Sequence, residues 1–413
     1  MQRILHVHSQ ARFQGGIERI LFDIASSLAP DMEQGLLFTD GGSDLRFLAP
    51  FTWQGMGVAE ALARFKPDLA IIHKTDDIAI IDAVIGSVPT IVFPHDHDLT
   101  CPRRHKYLPM ADKPCLRAAG AGCIKHLCFV ERAQPGQTLP VTLFAGIQRQ
   151  RQQLKASARA KHFLVASSAM RVGLILNGIC SSKIKIIAPI PASLDGPLGS
   201  STITPLSNYL DAQGNTGTAP LNLLFVGQVI RGKGVDLMLQ ALARLDLDFH
   251  ATIVGEGNHL AYCKQLALQL GLRGRVTFTG WVDHDLLENY YQQCRCLIVP
   301  SRWPEPFGMV GVEAMARGRP VVAFDVGGIS DWLSHEHTGY LAAAGDVADL
   351  ARQLQRALTA DVEMAAMAAN AQLAARQHFS HQGFIERLRA YISEVIELES
   401  RPAVAALNVE SYA

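Results

Sequence analysis

The chain has 413 residues, a length that exceeds what one hydrophobic core normally organises. With 48% hydrophobic and 18% charged residues, it has enough apolar residues for two cores. Its 38 basic and 38 acidic residues balance, so no global field attracts nucleic acid and any anion site must be local. No apolar run approaches the roughly 18 to 20 residues of a membrane span, and the N-terminus lacks a signal-peptide core. We therefore expect a cytoplasmic protein with reduced cysteines.

The first half of the chain alternates apolar strands with helical segments. Residues 4–7 predict a strand, Gly15 and Gly16 a turn, and residues 19–28 a helix with one apolar face. Further strands are predicted at 36–38, 69–73, 90–94 and 163–167, and a helix at 58–65. This alternation is typical of a parallel α/β sheet.

Four of the eight cysteines lie close together in a loop rich in proline, arginine and glycine: Cys101, Cys115, Cys123 and Cys128. A structural zinc ion would stabilise such an irregular segment, but the spacing contains no Cys-x-x-Cys pair. We therefore predict no metal site, and the question of zinc at these thiols stays open.

A second group of residues between 149 and 161 is basic: Arg149, Arg151, Lys155, Arg159 and Lys161. A solvated helix face is the simpler interpretation of this pattern. The alternative is peripheral contact with an anionic membrane surface, which would use the same side chains.

Residues 192–220 are rich in proline, serine and glycine and lack hydrophobic periodicity, which predicts a linker. The alternation then resumes, with strands at 221–226, 249–254, 276–279 and 296–300 and helices at 235–245, 259–271, 285–294 and 309–317. A second α/β domain is therefore expected to follow the first.

The segment from Gly227 to Gly234 lies between a predicted strand and helix, where nucleotide-binding sheets hold phosphate. It nearly matches a Walker A motif, but Gly234 stands where serine or threonine would bind Mg²⁺, which disfavours a metal-assisted NTPase. Lys233 and Arg231 remain as direct charge partners for a diphosphate. The alternative is that both are ordinary surface residues of a β-to-α turn.

A second glycine-rich segment, Gly255-Glu256-Gly257, follows the next predicted strand and begins like a dinucleotide fingerprint. Leu260 stands where that fingerprint requires a third glycine or an alanine. The segment therefore does not favour a hydride-transfer enzyme.

Glu305 and Glu313 flank the predicted start of the helix at 309–317. Free backbone N–H groups and the positive end of the helix dipole make the region of Gly308 an anion site. Glu305 would overhang that site from the loop, while Glu313, about one turn into the helix, can accept hydrogen bonds from a diol. Two glutamates at this spacing also occur by chance as solvated residues, so this motif indicates a binding site only in combination with the other motifs.

Together these features resemble the family 4 retaining glycosyltransferases (glycosyl transferases group 1). The segments that carry the resemblance are Gly15 to Glu18, His95-Asp96, Gly227 with Lys233-Gly234, Gly255 to Gly257, Pro300-Ser301, Glu305 to Glu313, Gly327-Gly328 and Thr338-Gly339. The resemblance implies an α/β fold with two Rossmann-like domains facing across a cleft, the GT-B architecture. On this basis we predict an acceptor domain at 1–192, a nucleotide-sugar domain at 193–379 and a C-terminal helix at 380–413 that returns to the first domain.

The resemblance also implies roles for individual residues. Lys233 would bind the donor diphosphate and Glu313 the ribose hydroxyls, while Glu305 would contact the transferred sugar near its C3 hydroxyl. His95 would lie beside the primary hydroxyl end of that sugar. The Gly16 amide would face the phosphates. Sugar hydroxyls would contact the backbone amides of four residues: Phe307, Gly308, Met309 and Val310.

The chain departs from the family at Gln228, where members commonly carry arginine. Arg231, three positions later on the same loop, is the candidate replacement for that cation. A smaller departure is Asp331, where glutamate is more usual after the double glycine.

The function implied is transfer of a sugar from a nucleotide diphosphate sugar, with no cofactor, to a saccharide or lipid-linked acceptor in envelope polysaccharide or glycoconjugate synthesis. The alternatives are a sugar-nucleotide epimerase or phosphorylase of the same architecture, and a non-catalytic nucleotide-binding scaffold. The base, the sugar, the acceptor and the oligomeric state do not follow from the sequence.

Overall fold

The computed structural model describes residues 1–108, 113–128, 130–131, 143–144, 146–195, 221–283 and 286–400. Most of the predicted linker, from residue 196 to residue 220, lies outside the described residues, as do residue 285 of a predicted helix and residues 401–413 of the predicted C-terminal helix.

The strands of the described part of the chain are β1 Gln2–His8, β2 Met32–Phe38, β3 Trp53–Gly55, β4 Leu69–Lys74, β5 Thr90–Val92, β6 Tyr107–Leu108, β7 Lys113–Pro114, β8 Val130–Glu131, β9 Leu143–Phe144, β10 His162–Val165, β11 Ile184–Ile186, β12 Asn222–Val226, β13 His250–Val254, β14 Val276–Gly280, β15 Cys296–Val299, β16 Val321–Phe324 and β17 Gly339–Ala342.

The helices there are α1 Gly16–Leu28, α2 Leu45–Leu48, α3 Val58–Glu60, α4 Ile78–Ser87, α5 Ala121–Lys125, α6 Ile147–Ser157, α7 Ser168–Leu176, α8 Val235–Leu242, α9 Leu260–Gln269, α10 Leu287–Gln293, α11 Met309–Ala316, α12 Val347–Thr359, α13 Asp361–His378 and α14 His381–Ser400. α3 continues as a π-helical turn, Ala61–Phe65.

Two parallel sheets organise these elements. The first has the strand order β11-β10-β5-β4-β1-β2-β3, and the second has the order β14-β13-β12-β15-β16-β17. Every pairing within both sheets is parallel. The carboxyl ends of the strands in a parallel sheet meet at one edge, and ligands of such sheets bind outside that edge. The predicted α/β class with two Rossmann-like units is confirmed.

Apolar runs explain why these strands are central. β1, β4, β15 and β16 are buried along most or all of their length, as strands covered by helices on both faces must be. All predicted strands are present within four residues of their expected ends, the largest difference being the start of β2. Four strands of the two sheets were not predicted: β3, β11 and β17, which are short strands at sheet edges, and the buried strand β16.

The last helix, α14, crosses to the first domain. Its apolar face is buried, and the His381 imidazole lies 2.8 Å from Ser27 Oγ in α1. Near its other end Glu399 pairs with Lys161 at 2.6 Å. Contacts at both ends fix this helix against the first domain.

Among the described residues we find no helix with the length and apolar character needed to cross a membrane.

Candidate functional site

Two loops pack against each other at the carboxyl edge of the second sheet: the β12–α8 loop and the β15–α11 loop. Gly234 has φ of +70°, and a Cβ there would lie 1.9 Å from the carbonyl oxygen of Pro300. The Arg302 amide donates to the Gly232 carbonyl at 2.9 Å. Any side chain at position 234 would separate the two loops, so glycine is required by both conformation and space.

A buried ion pair holds the same loops together. The Arg302 guanidinium donates to Asp236 Oδ2 at 2.6 Å and to the Arg231 carbonyl at 3.0 Å. Burial acts to raise the pKa of the Asp236 carboxyl, but His259 and Arg302 outweigh it and lower that pKa. This bidentate pair sets the position of the loop that carries Lys233.

The Lys233 ammonium lies between the two loops and contacts Glu305. Its Nζ is 2.7 Å from Glu305 Oε1 and 3.0 Å from Oε2, and it lies 5.1 Å from the ring centroid of Trp303. Ammonium has three N–H donors, and Glu305 takes no more than two of them. A donor therefore remains for an anionic ligand.

Glu305 is 3% exposed and is nevertheless held as a carboxylate. Burial acts to raise its pKa, but the Lys233 charge and hydrogen bonds from Lys233, Ser301 and Trp303 outweigh burial and lower it. The Trp303 indole donates at 2.9 Å, and the Ser301 hydroxyl also contacts Oε1. With so many donors in place, this carboxylate serves as a fixed negative charge rather than a proton carrier.

The start of α11 presents backbone N–H groups beside this pair. Gly308 precedes the helix with φ of +94° and supplies no side-chain cap. Its carbonyl accepts from the Gly311 amide at 2.9 Å, so the cap offers no acceptor to the Met309 and Val310 amides before it. The Trp332 indole donates to the Phe307 carbonyl at 2.6 Å and fixes the preceding turn. Met309 and Val310, the first residues of α11, are half-buried. This arrangement suits the binding of an anion or of sugar oxygens.

Glu313 lies one turn into α11 and is buried. The Tyr291 hydroxyl donates to its Oε2 at 3.0 Å. Burial raises the pKa of Tyr291 well above its ordinary value, so the phenol keeps the proton it donates. The bond orients the carboxylate and leaves Oε1 as the oxygen for a further donor.

Gln228 and Arg231 are both exposed on the β12–α8 loop. The Arg231 carbonyl is bound by Arg302, which fixes its backbone. A role for the Arg231 side chain at the diphosphate stays a prediction.

The first domain meets this site at several points, three of which involve Gly16, His97 and Ser168. A Cβ at Gly16, the first residue of α1, would lie 3.1 Å from Met309 Cε, so the two helix starts are in contact. His97 Nε2 donates to the Pro304 carbonyl at 2.7 Å, next to Glu305. The third of these contacts joins Ser168, at the start of α7, to Asp331, which accepts from the Ser168 amide at 2.7 Å.

His95 follows β5 and lines a pocket at the carboxyl edge of the first sheet, together with Ile17, Lys74 and Asp96. Burial, the largest cause, and nearby His8 lower its pKa to about 3, so the imidazole is neutral near pH 7. Its Nε2 lies 2.8 Å from His73 Nδ1. His95 is thus a neutral hydrogen-bonding group within two residues of the domain contact at His97.

Several polar residues around this pocket were not singled out from the sequence: His6, His8, His73 and Gln34. They are completely or almost completely buried, and His8 Nε2 lies 3.0 Å from Glu18 Oε1. A signal existed, since His73 stands at the end of one predicted strand and His8 and His95 come just after two others. Strands β1, β4 and β5 are adjacent, which brings these side chains together.

The four clustered cysteines fall within the described residues and are free thiols. Burial raises the pKa of Cys101, and it raises that of Cys128 to about 11. Across the part of the chain that the structure describes, no group of three or more histidine, cysteine or acidic side chains is arranged to hold a metal ion.

The second sheet also carries a recognisable family signature. Residues 210–374 match the family model described as Glycosyl transferases group 1. The second domain is a group 1 glycosyltransferase domain. The matched range includes Gln228, Lys233, Glu305 and Glu313, so the resemblance to group 1 glycosyltransferases is confirmed, while assignment to family 4 stays a prediction.

Relatives also match a part of this chain. An uncharacterized glycosyltransferase of Methanocaldococcus jannaschii is 38% identical over 120 residues, 28% of this chain and 30% of the relative. The lipopolysaccharide core biosynthesis mannosyltransferase LpsB of Rhizobium meliloti is 36% identical over 131 residues, 29% of this chain and 36% of the relative. The matches thus span about a third of each relative's length.

The whole fold matches solved glycosyltransferase structures. Anabaena HepE in complex with UDP and glucose superposes with a TM-score of 0.68 at 20% identity, covering 95% of this chain and all of that one. At this identity the match establishes the fold, the two-domain GT-B architecture.

Proposed function

We propose that this protein is a retaining glycosyltransferase that moves a sugar from a nucleotide diphosphate sugar to a saccharide or lipid-linked acceptor. The observation that carries the proposal is the Lys233–Glu305 pair beside the first turn of α11, with Gly16 in contact with that turn. A cation, a buried carboxylate and free helix N–H groups are what a sugar linked to a diphosphate requires.

Each element of the site has one task in this proposal. Lys233 binds the diphosphate, helped by the Gly16 amide, and the amides of the α11 start meet sugar hydroxyls. Oε1 of Glu313 accepts from the ribose diol, because Tyr291 already occupies Oε2. Glu305 stabilises positive charge that develops on the sugar ring, since its carboxylate is buried and ionised.

The chemistry follows from where charge develops. As the bond to the sugar breaks, negative charge collects on phosphate oxygens, and Lys233 with the helix N–H groups stabilises it. The leaving diphosphate then accepts the proton of the attacking acceptor hydroxyl on the same face of the sugar. No enzymic nucleophile is needed for retention, and fixed cations take the place of a divalent ion at the diphosphate.

An envelope glycoconjugate is the proposed product. A relative that matches 29% of this chain is a mannosyltransferase of lipopolysaccharide core biosynthesis, which supports this choice. Contact with an anionic membrane is a separate and weaker proposal, because three of the five cations in the basic segment already pair with carboxylates. The pairs are Arg149–Asp76 at 2.6 Å, Arg159–Asp82 at 2.5 Å and Lys161–Glu399 at 2.6 Å.

Donor screening tests the proposal directly. We would measure release of nucleoside diphosphate from UDP-, GDP- and ADP-sugars, with and without candidate saccharide acceptors, and analyse the anomeric configuration of the product by NMR. We expect release that depends on acceptor and a product that retains the donor configuration. Interconversion of the sugar nucleotide without acceptor would indicate an epimerase, and phosphate-dependent turnover a phosphorylase.

Calorimetry separates catalysis from binding. We expect UDP or another nucleoside diphosphate to bind with the same affinity in EDTA and in excess Mg²⁺, because Lys233 replaces the metal. Binding without any turnover would indicate a non-catalytic nucleotide-binding scaffold. Loss of binding in EDTA would contradict a metal-independent site.

A further inference from the structure

A chain of hydrogen-bonded rings runs from His95 into the core of the first domain. His95 Nε2 lies 2.8 Å from His73 Nδ1, His73 Nε2 lies 2.9 Å from His6 Nδ1, and His6 Nε2 lies 2.8 Å from Gln34 Oε1. His6 and Gln34 are fully buried, and His73 is 4% exposed. Consecutive rings lie nearly parallel, with interplanar angles of 14° and 26°.

Gln34, at the inner end of this chain of rings, fixes the direction of every hydrogen bond in it. Gln34 Nε2 donates to the Met32 carbonyl at 2.7 Å, so the amide oxygen of Gln34 must face His6. An oxygen there requires the proton on His6 Nε2. The reversed amide would set its oxygen against the Met32 carbonyl oxygen, and a buried contact between two acceptors is costly.

Each neutral ring carries one N–H, so the first assignment fixes the next. With its proton on Nε2, His6 accepts at Nδ1 and requires a proton on His73 Nε2. His73 in turn accepts at Nδ1 and requires a proton on His95 Nε2. The nitrogen of His95 that remains is Nδ1, which then carries a lone pair.

Burial supports neutral rings throughout this chain. It is the largest cause that lowers the pKa of His6, to about 4, and that lowers the pKa of His73 well below its ordinary value. A second proton on His6 or His73 would also place two N–H groups face to face, and burial lowers the pKa of His95 to about 3. The chain therefore has one stable protonation pattern.

We propose that His6 and His73 are positioning residues that hold His95 as its Nε2–H tautomer, so that His95 Nδ1 accepts a hydrogen bond from a hydroxyl of the bound sugar. The inference rests on the proposed function for the identity of that ligand. An imidazole fixed in this way accepts from a hydroxyl and offers it no N–H. The site thereby favours a sugar with a hydroxyl at this position over its deoxy analogue.

The tautomers can be measured without any turnover. Protein labelled with ¹⁵N-histidine would be studied by long-range ¹H–¹⁵N correlation at pH 7, with the three signals assigned from single variants. We expect His6, His73 and His95 all to carry the proton on Nε2. A proton on Nδ1 of His95 or His73, or a doubly protonated ring, would overturn the inference whatever the enzyme's donor proves to be.

Variants at the inner end test the effect on the substrate. His6→Gln can accept from His73 and donate to Gln34, whereas His6→Leu can do neither. Using UDP-glucose and UDP-xylose, which lacks the primary hydroxyl group, we expect His6→Leu to lower discrimination between the two about tenfold, the worth of one hydrogen bond, and His6→Gln to retain it.

UDP affinity and thermal unfolding serve as controls, because the second domain binds the nucleotide. A merely structural role would change both variants alike and leave discrimination unchanged, which would contradict the inference. If wild-type protein turns over neither donor, the proposed function fails for UDP-sugars, and the tautomer measurement still decides the inference.

Discussion

Lys233 Nζ and Glu305 Oε1 lie 2.7 Å apart although the two residues are separated by 72 positions and belong to different loops. Gly234 and Arg302, at the base of these loops, hold them together. The pair is therefore a product of loop packing, and each partner fixes the other. Glu305 keeps its charge because of Lys233, and Glu305 in turn holds the Lys233 ammonium, for which we propose a diphosphate as ligand.

Removing the ammonium should disable the site. We expect Lys233→Ala to lower kcat/KM at least about a hundredfold, because loss of one preorganised group that stabilises developing charge costs about 2.7 to 4 kcal/mol of barrier. Lys264→Ala, an exposed lysine of α9, serves as the matched control and should retain full activity. Near-normal turnover by a folded Lys233→Ala protein would contradict the assigned role.

The start of α11 depends on close packing against Trp332. A Cβ at Gly311 would lie 2.0 Å from Trp332 Cη2, so Gly311→Ala must displace the indole that bonds the Phe307 carbonyl. We expect a lower unfolding temperature and weaker UDP binding. Gly86→Ala, also within a helix, has only the Arg159 guanidinium within 3.9 Å and should be neutral or stabilising by up to about 1 kcal/mol. Equal behaviour of the two variants would show that the indole contact is unimportant.

The fold and part of the site could be predicted from the sequence for a definite reason. Parallel strands are apolar runs, and the glycines at 227, 234 and 308 mark the turns where such strands pass into helices. The partners within the site could not be predicted. The hydrogen bonds within the site depend on which helices and loops meet at the sheet. Two examples are the bond from Tyr291 to Glu313 and the bond from Arg302 to Asp236. The histidine chain needed the strand order, which places β1, β4 and β5 side by side.

Acid should release the ion pair that holds the two loops. The folded-state pKa of Asp236 lies below its ordinary value of 3.8, so the pair contributes its full stability above that pH and loses it as the pH falls toward the folded-state value. We expect Asp236→Asn to cost about 3 kcal/mol at pH 7, because the buried Arg302 charge then loses its carboxylate partner. Urea unfolding should show that difference shrinking below about pH 4.

An exposed pair provides the comparison for this measurement. Asp82 and Arg159 have side chains 45% and 53% exposed, so Asp82→Asn should cost no more than about 1 kcal/mol. A pH-independent cost for Asp236→Asn would show that the carboxylate's charge does not contribute to stability.

Glu313 should contribute affinity only through the ribose diol. We expect Glu313→Gln to weaken UDP binding about tenfold, because a hydrogen bond to a charged group becomes one to a neutral group. Tyr291→Phe should weaken it less, since the carboxylate remains but loses its orienting donor. Calorimetry with the 2′,3′-dideoxy analogue of UDP is the control, and Glu313→Gln should leave that affinity unchanged. An equal loss for both ligands would place Glu313 elsewhere in the site.

Restoring the missing cation should strengthen donor binding. Gln228 is exposed on the loop that carries Lys233, where an arginine would add one charge-assisted hydrogen bond to the diphosphate. We expect Gln228→Arg to tighten UDP binding about tenfold at low salt, with a smaller gain at high salt because the new charge is partly screened. Gln269→Arg, on the exposed end of α9, adds the same net charge away from the site and should leave affinity unchanged. No gain from Gln228→Arg, together with a loss from Arg231→Gln, would mean that Arg231 already fills the position of the missing arginine.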